Sequence, residues 1–304
     1  MINGSIYSKR KYPSPVPNVE LMEITYWSEG LRVKGLLARP TFEGDFDAFL
    51  YLRGGLQSIG MVRPARIAQF ALQGFIVFAP YYRGNRGGEG KDEFAGEDRF
   101  DAIHGVTLLK ALSGKEKVHV YGFSRGGLMA LWTAIIRDDI ASVVVWAGVC
   151  DVEKTYEERL DMRRGLKRII GGTPSKCPER YAYRTPLHEV SKINAPVLII
   201  HGTNDEHVNI SHGYKLKAAL TKEIFRKIEW PQLDRGTISD EDAILAVNSR
   251  LPKKLHPFVE EIIGGWWMRP LIPMDGMEEI IKELKENGYR IYLLSNASVH
   301  LREY

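Results

Sequence analysis

The chain has 304 residues, with 42 Lys and Arg against 38 Asp and Glu and a formal charge of +4. So mild an excess, with no basic run interleaved with aromatics, excludes the electrostatic footprint of a nucleic-acid binder. No stretch approaches about 18 uninterrupted apolar residues. Residues 1–17 are polar and proline-containing and lack an apolar h-region, so neither a membrane span nor a secretion signal is expected. The two cysteines, Cys150 and Cys177, lie far apart without metal-ligand spacing, which points to free thiols, a cytoplasmic setting and no metal or other cofactor.

Apolar segments recur along the chain at residues 36–38, 48–52, 75–79, 118–121, 143–146 and 197–200. The later ones are unbroken rather than alternating, which predicts parallel strands buried on both faces. Helix-length patterns lie between them at 63–72, 100–112, 126–136 and 212–220. The alternation predicts an α/β fold: a mostly parallel sheet with helices on both faces and ligands bound beyond the carboxyl ends of the strands. The charged stretch from Asp151 to Arg184 breaks at Gly171-Gly172-Thr173-Pro174 and reads as a helical excursion, within residues 151–190, over the active-site face; a solvated surface helix pair is the equally good alternative. Composition changes after Leu220, so residues 1–222 are assigned to one domain and 223–304 to a mainly helical appendage ending in a strand at Ile291-Tyr292-Leu293-Leu294. In that appendage Asp275 with Glu278 spells a capping box ahead of an apolar stripe.

The chemistry is carried by Val118-His119-Val120-Tyr121-Gly122-Phe123-Ser124-Arg125-Gly126-Gly127, an apolar strand running into Gly-x-Ser-x-Gly and then a helix. That is the context of a nucleophile elbow, with Ser124 lifted above the sheet. A second strand, Val197 to Ile200, ends in His201-Gly202-Thr203-Asn204-Asp205, where the Asp205 carboxylate could orient a general base; a turn-forming Asp is the plainer alternative. Oxyanion donors are expected from the Arg125 amide and from Gly54 and Gly55, whose bare backbone permits close approach. Arg83-Gly84-Asn85-Arg86-Gly87-Gly88-Glu89-Gly90 lacks the Gly-Lys-Ser/Thr ending of a P-loop and reads as a loop beside the site, with Arg83 or Arg86 steering an acidic substrate group. Glu97 and Asp98 read as the start of the next helix.

Arg53-Gly54-Gly55, Tyr82-Arg83-Gly84-Asn85, the Ser124 elbow and the His201–Asp205 turn together resemble the α/β-hydrolase fold. Within it they are similar to the catalytic domain of prolyl-oligopeptidase-type serine peptidases and related esterases. The resemblance covers about residues 20–220 and implies an acyl-enzyme mechanism on small esters, amides or short peptides. It departs at Arg53, where the family often has His, and in having no room for an N-terminal propeller.

The base is the residue that the sequence does not supply. Such enzymes carry it in a loop after the last strand, where this chain has Arg235, whose guanidinium cannot accept a proton. His207 and His212 follow Asp205 too closely, His104, His119 and His201 read as structural, and His256 and His300 are left as candidates without a fitting turn. Residues 225–304 resemble part of a haloacid-dehalogenase-type phosphatase, with Leu293-Leu294-Ser295-Asn296 similar to its second motif, but no Asp-x-Asp nucleophile precedes it on a strand end. The expectation is a serine hydrolase joined before its His to a phosphatase segment. A non-catalytic protein of the same fold and a metal-dependent phosphatase are the alternatives.

Overall fold

The structure, a computed structural model, describes residues 2–221 without a break, then residue 232, residues 237–249 and residues 256, 259, 260, 263 and 282. The chain divides into two compact units, Met1–Leu220 and Thr221–Tyr304.

The first unit is built on an eight-stranded sheet in the order β1-β2-β3-β5-β4-β6-β7-β8. Its strands are β1 (Ile6–Tyr12), β2 (Val19–Ser28), β3 (Leu31–Pro40), β4 (Asp47–Leu52), β5 (Phe75–Pro80), β6 (Val118–Phe123), β7 (Ile140–Trp146) and β8 (Val197–Ile200). Strands β1 to β3 form an antiparallel meander that joins β5 antiparallel, and from β5 onward every neighbouring pair is parallel. The apolar pattern marks only the inner part of β3 and leaves β1 and β2 unmarked. In β1 the reason is physical: IYSKRKY is an edge strand with five consecutive exposed residues and no apolar alternation.

Helices α1 (Pro64–Leu72), α2 (Arg99–Ser113) and α3 (Gly126–Ile136) fall between strands as predicted. Proline at the first helical position of α1 donates no N–H where none is needed, and Gly114, at φ 70°, closes α2 in the left-handed conformation that glycine adopts without strain. Adjacent residues of the central strands face opposite ways. Phe49 and Val77 pack with Ile67 and Ala71 of α1, whereas Leu50 and Phe78 pack with Val106 of α2 and Leu128 of α3. Helices therefore cover both faces.

The excursion after β7 contains α4 (Val152–Glu158), α5 (Arg163–Ile170) and α6 (Pro178–Arg184), and Gly171, at φ 97°, ends α5 where the sequence breaks. Helix α7 (Ser211–Thr221) follows β8. In the second unit α8 (Asp240–Asn248) begins with a capping box, the Asp242 amide donating to Ser239 Oγ at 3.1 Å and the Ser239 amide to Asp242 Oδ2 at 3.3 Å. Ala243 and Val247 of that helix pack with Val259 and Ile263. The predicted Asp275 cap and the strand at 291–294 lie outside the described residues.

No described helix is long and apolar enough to cross a membrane. Among the described residues no group of three His, Cys, Asp or Glu could hold a metal ion.

Candidate active site

Strand β6 lies in the middle of the sheet, between β4 and β7, and its last residue, Phe123, precedes Ser124. Ser124 has φ 54°, a left-handed backbone that costs a non-glycine residue about 1–3 kcal/mol and persists only where surroundings enforce it. Three backbone bonds do so: the Ser124 amide donates to Trp146 O at 3.1 Å, and Ser124 O accepts from Gly127 N and Val149 N, each at 2.9 Å. A Cβ on Gly122 would overlap Gly126 O, and one on Gly126 would overlap Leu52 O, so both glycines are required by close approach. The amides of Arg125 and Gly126 open α3 and are among the donors that a helix cannot satisfy internally.

The loop after β4 lies against the elbow. A Cβ built on Gly54 would stand 2.8 Å from Ser124 Cβ, and Gly55 has φ 72°. This places the predicted oxyanion residues Gly54, Gly55 and Arg125 beside Ser124, and all four line one cavity of 750 Å³.

What shapes this loop is the side chain that sequence reasoning passed over. Arg53, 1% exposed, donates through its guanidinium to Tyr81 O at 3.0 Å, Gly54 O at 2.9 Å, Gln57 O at 3.2 Å and Ile59 O at 3.2 Å. Arg125, equally buried, donates to Gly55 O at 3.1 Å and pairs with Asp92 at 2.7 Å and with Asp98. Both guanidinium carbons lie about 5 Å from the centre of the Tyr82 ring, 5.0 Å for Arg53 and 4.9 Å for Arg125. Five planar donors suit Arg to gathering carbonyls from several segments.

Two buried carboxylates hold the two cations together. Asp92 also accepts from Asn85 Nδ2 at 3.1 Å and from Gln57 N at 3.0 Å. Burial works against its charge, but Arg125 and these donors outweigh it and hold the carboxyl below its ordinary range. Asp98 has fewer donors, and burial pushes it up to about 6. Burial, with Arg125 nearby, lowers Arg53. Asp98 does precede α2, as the sequence suggests, but its side chain caps nothing there and instead faces Arg125. A signal was present: Arg53 stands directly after the unbroken apolar run of β4, where a charge must find buried partners.

Asp205 lies in the turn beyond β8. Its Oδ1 accepts from His207 N at 2.8 Å and Val208 N at 2.9 Å, so this oxygen shapes the turn, and Oδ2 is the oxygen left for an imidazole. The half-buried carboxylate lines the same cavity as Ser124. Arg159 Nη1 donates to His207 O at 3.1 Å and ties the turn to the end of α4. Tyr51, Leu56, Met61, Phe123, Trp146, Val149 and Met162 give the cavity its apolar walls.

Among the described histidines, His207 is the one that lines this cavity. His212 is fully buried. Its Nδ1 accepts from Cys150 N at 3.3 Å and its Nε2 stands 3.0 Å from Glu158 Oε1, which fixes the proton on Nε2. His201 Nε2 is 2.7 Å from Val208 O, His119 Nδ1 is 2.8 Å from Ser142 Oγ, and His104 Nδ1 is 3.1 Å from Ser28 Oγ, which are structural roles. His256 belongs to the second unit, and His300, like Ser295, lies outside the described residues.

One expectation is corrected outright. Arg83 cannot steer a substrate, because its guanidinium donates to Asp101 Oδ1 from Nη2 at 2.8 Å and from Nε at 3.1 Å in the buried interior.

Residues 61–229 match the profile of the prolyl oligopeptidase family. A protein of Bacillus subtilis (strain 168) named uncharacterized peptidase YtmA is 56% identical over 227 residues, covering 74% of this chain and 88% of that protein. Among solved structures, Pyrococcus horikoshii acylaminoacyl peptidase superposes with a TM-score of 0.57 at 19% identity, over 68% of this chain and 35% of that one. This chain thus spans about a third of that peptidase. The acetyl xylan esterase from Paenibacillus sp. R4 superposes at 0.56 with 15% identity, over 71% of this chain and 79% of that one. Likeness at these identities concerns the fold, whereas the profile match and the Bacillus relative concern descent, and on them the chain belongs to the prolyl oligopeptidase family of serine hydrolases.

Proposed function

We propose that the chain cleaves small acyl esters, amides or short peptides through an acyl-enzyme on Ser124. One observation carries this reading: Ser124, Gly54, Gly55, Arg125 and Asp205 all line one apolar-walled cavity. Its 750 Å³ is within the usual range of small-molecule sites. Ser124 Oγ attacks the acyl carbon, and its proton passes to a base oriented by Asp205. The oxygen of the tetrahedral intermediate turns toward the Gly55 and Arg125 amides. The leaving alcohol or amine takes up the proton, and water then releases the acid by the same steps in reverse order. The names of the Bacillus relative and of the esterase that shares the fold, peptidase and acetyl xylan esterase, span the amide and ester ends of that substrate range.

The test is a fluorophosphonate probe together with 4-nitrophenyl acetate, applied to the full chain and to Ser124→Ala. Labelling and turnover that vanish in S124A support the reading, and His207→Gln, His256→Gln and His300→Gln then identify the base. Equal behaviour of the two proteins sinks it and favours the second reading, a non-catalytic member of the fold. That reading has one observation behind it: the described histidines of the first unit make their hydrogen bonds to groups other than Ser124.

A further inference from the structure

A second cavity, of 790 Å³, adjoins the first. Three segments wall both: residues 56–61, residues 92–94 and helix α5, with Gln57, Ser58 and Arg168 facing the second cavity and Leu56, Ile59 and Gly165 facing the first. The two cavities meet at Met61, which lines each.

Their chemistry differs. The Ser124 cavity is mainly apolar, whereas the second presents Arg86, Lys91 and Arg168, all exposed and none in an ion pair among the described residues. Of the neighbouring cations, Arg83 pairs with Asp101, Arg32 with Glu89, and Arg53 and Arg125 with Asp92, whereas the exposed Arg63 and Arg66 line the Ser124 cavity and not the second one. The acids in the wall are spent as well. Asp92 serves those two arginines, and Glu93 accepts from Glu97 N at 2.9 Å and faces Arg184 at 4.0 Å. Three uncompensated positive charges therefore open onto one concavity, whose low-dielectric walls focus their field. Arg86 is also held at φ 52°, a conformation glycine would adopt at less cost, so an arginine is kept there against local strain.

We propose that this cationic cavity binds a carboxylate carried by the substrate, so that the enzyme prefers acidic acyl or acidic peptidyl esters and amides over neutral ones. The proposal rests on the Ser124 reading: with the acyl carbon at Ser124, the arm bearing the carboxylate crosses the 56–61 strap at Met61.

The experiment compares 4-nitrophenyl acetate with mono(4-nitrophenyl) glutarate on the full chain and on the triple variant Arg86→Gln, Lys91→Gln, Arg168→Gln, with circular dichroism to establish that the variant folds. The preference for the glutarate ester, taken as the ratio of kcat/KM values, is expected to fall roughly tenfold or more in the triple variant. In the wild type it is expected to fall between about 20 mM and about 500 mM salt, as exposed charges are screened. A wild type without preference, or a triple variant that keeps it, overturns the proposal. If Ser124 resists the fluorophosphonate and both esters are inert, the hydrolase reading fails on its own. Calorimetric titration with glutarate then decides the cavity: binding that the triple variant loses supports an anion site, and no binding removes it.

Discussion

Arg125→Met tests whether the buried ion network holds the elbow region together. The substitution keeps most of the side-chain volume but removes the guanidinium from Asp98, which then retains the Glu93 amide, 3.0 Å away, as its donor. Even with Arg125 present, burial lifts Asp98 from 3.8 to about 6, so ionising it there costs about 3 kcal/mol more than in water. Breaking one side of such a pair typically costs about 3–5 kcal/mol, because a charge is left buried without its partner. Against a total stability of about 5–15 kcal/mol, that is a large share. A group whose folded pKa is raised stabilises the fold below its ordinary pKa and loses that contribution as pH rises through the folded value. The deficit of R125M relative to wild type is therefore expected to be greatest near pH 7.5 and to shrink toward pH 5, as the orphaned carboxyl takes up a proton. Adding Asp98→Asn should restore part of the loss at pH 7.5. Urea unfolding of the intact chain at both pH values reads this directly. A deficit below about 1 kcal/mol at pH 7.5, or one that grows toward pH 5, refutes the reasoning.

Gly126→Ala places a Cβ against Leu52 O, backbone against backbone, and is expected to cost several kcal/mol, read as a lower melting temperature or loss of folded protein. Gly54→Ala meets Ser124 Cβ at 2.8 Å and should depress ester hydrolysis far more than stability; wild-type kcat/KM in this variant would exclude the loop from the site. Asp205→Asn should lower kcat by about two orders of magnitude or more without moving the melting temperature by more than a few degrees. His212 is held below its ordinary pKa chiefly by burial, so its neutral form stabilises the fold above about pH 6.5 and that contribution is lost as pH falls through the folded value. His212→Gln should flatten this dependence between about pH 7 and 5 while lowering stability at pH 7.5, and an unchanged slope would exclude His212 as its source.

The parallel half of the sheet was legible because its strands are unbroken apolar runs, and the elbow because Gly122, Ser124 and Gly126 stand at a spacing that serves one geometry. Gly171 ends a helix where the sequence breaks, for the conformational reason that makes glycine readable there. The antiparallel meander was less legible. Strand β1 is stabilised by pairing with β2, a long-range contact that leaves no trace in IYSKRKY itself. At Arg53 and Arg125 the motifs speak for the backbone alone, since nothing in local spacing says that two arginines and two aspartates from four segments meet around Tyr82. Arg83 misleads in the opposite sense: its glycine-rich surroundings suggest an exposed loop although its side chain is buried on Asp101.

The parts of the candidate site hang from strands of unequal support. Ser124 follows β6, which is paired on both sides, whereas Asp205 follows β8, four residues long, last in the sheet and paired to β7 alone among the described residues. Leu198, in the middle of β8, is 56% exposed. Opening such a rim strand breaks one ladder and uncovers little apolar surface, so its amides should exchange with solvent through local excursions while those of β6 wait for global unfolding. As denaturant rises, the Asp205 turn should loosen well before the sheet melts, and any turnover that depends on Asp205 should disappear at a concentration where circular dichroism still reports a native fold.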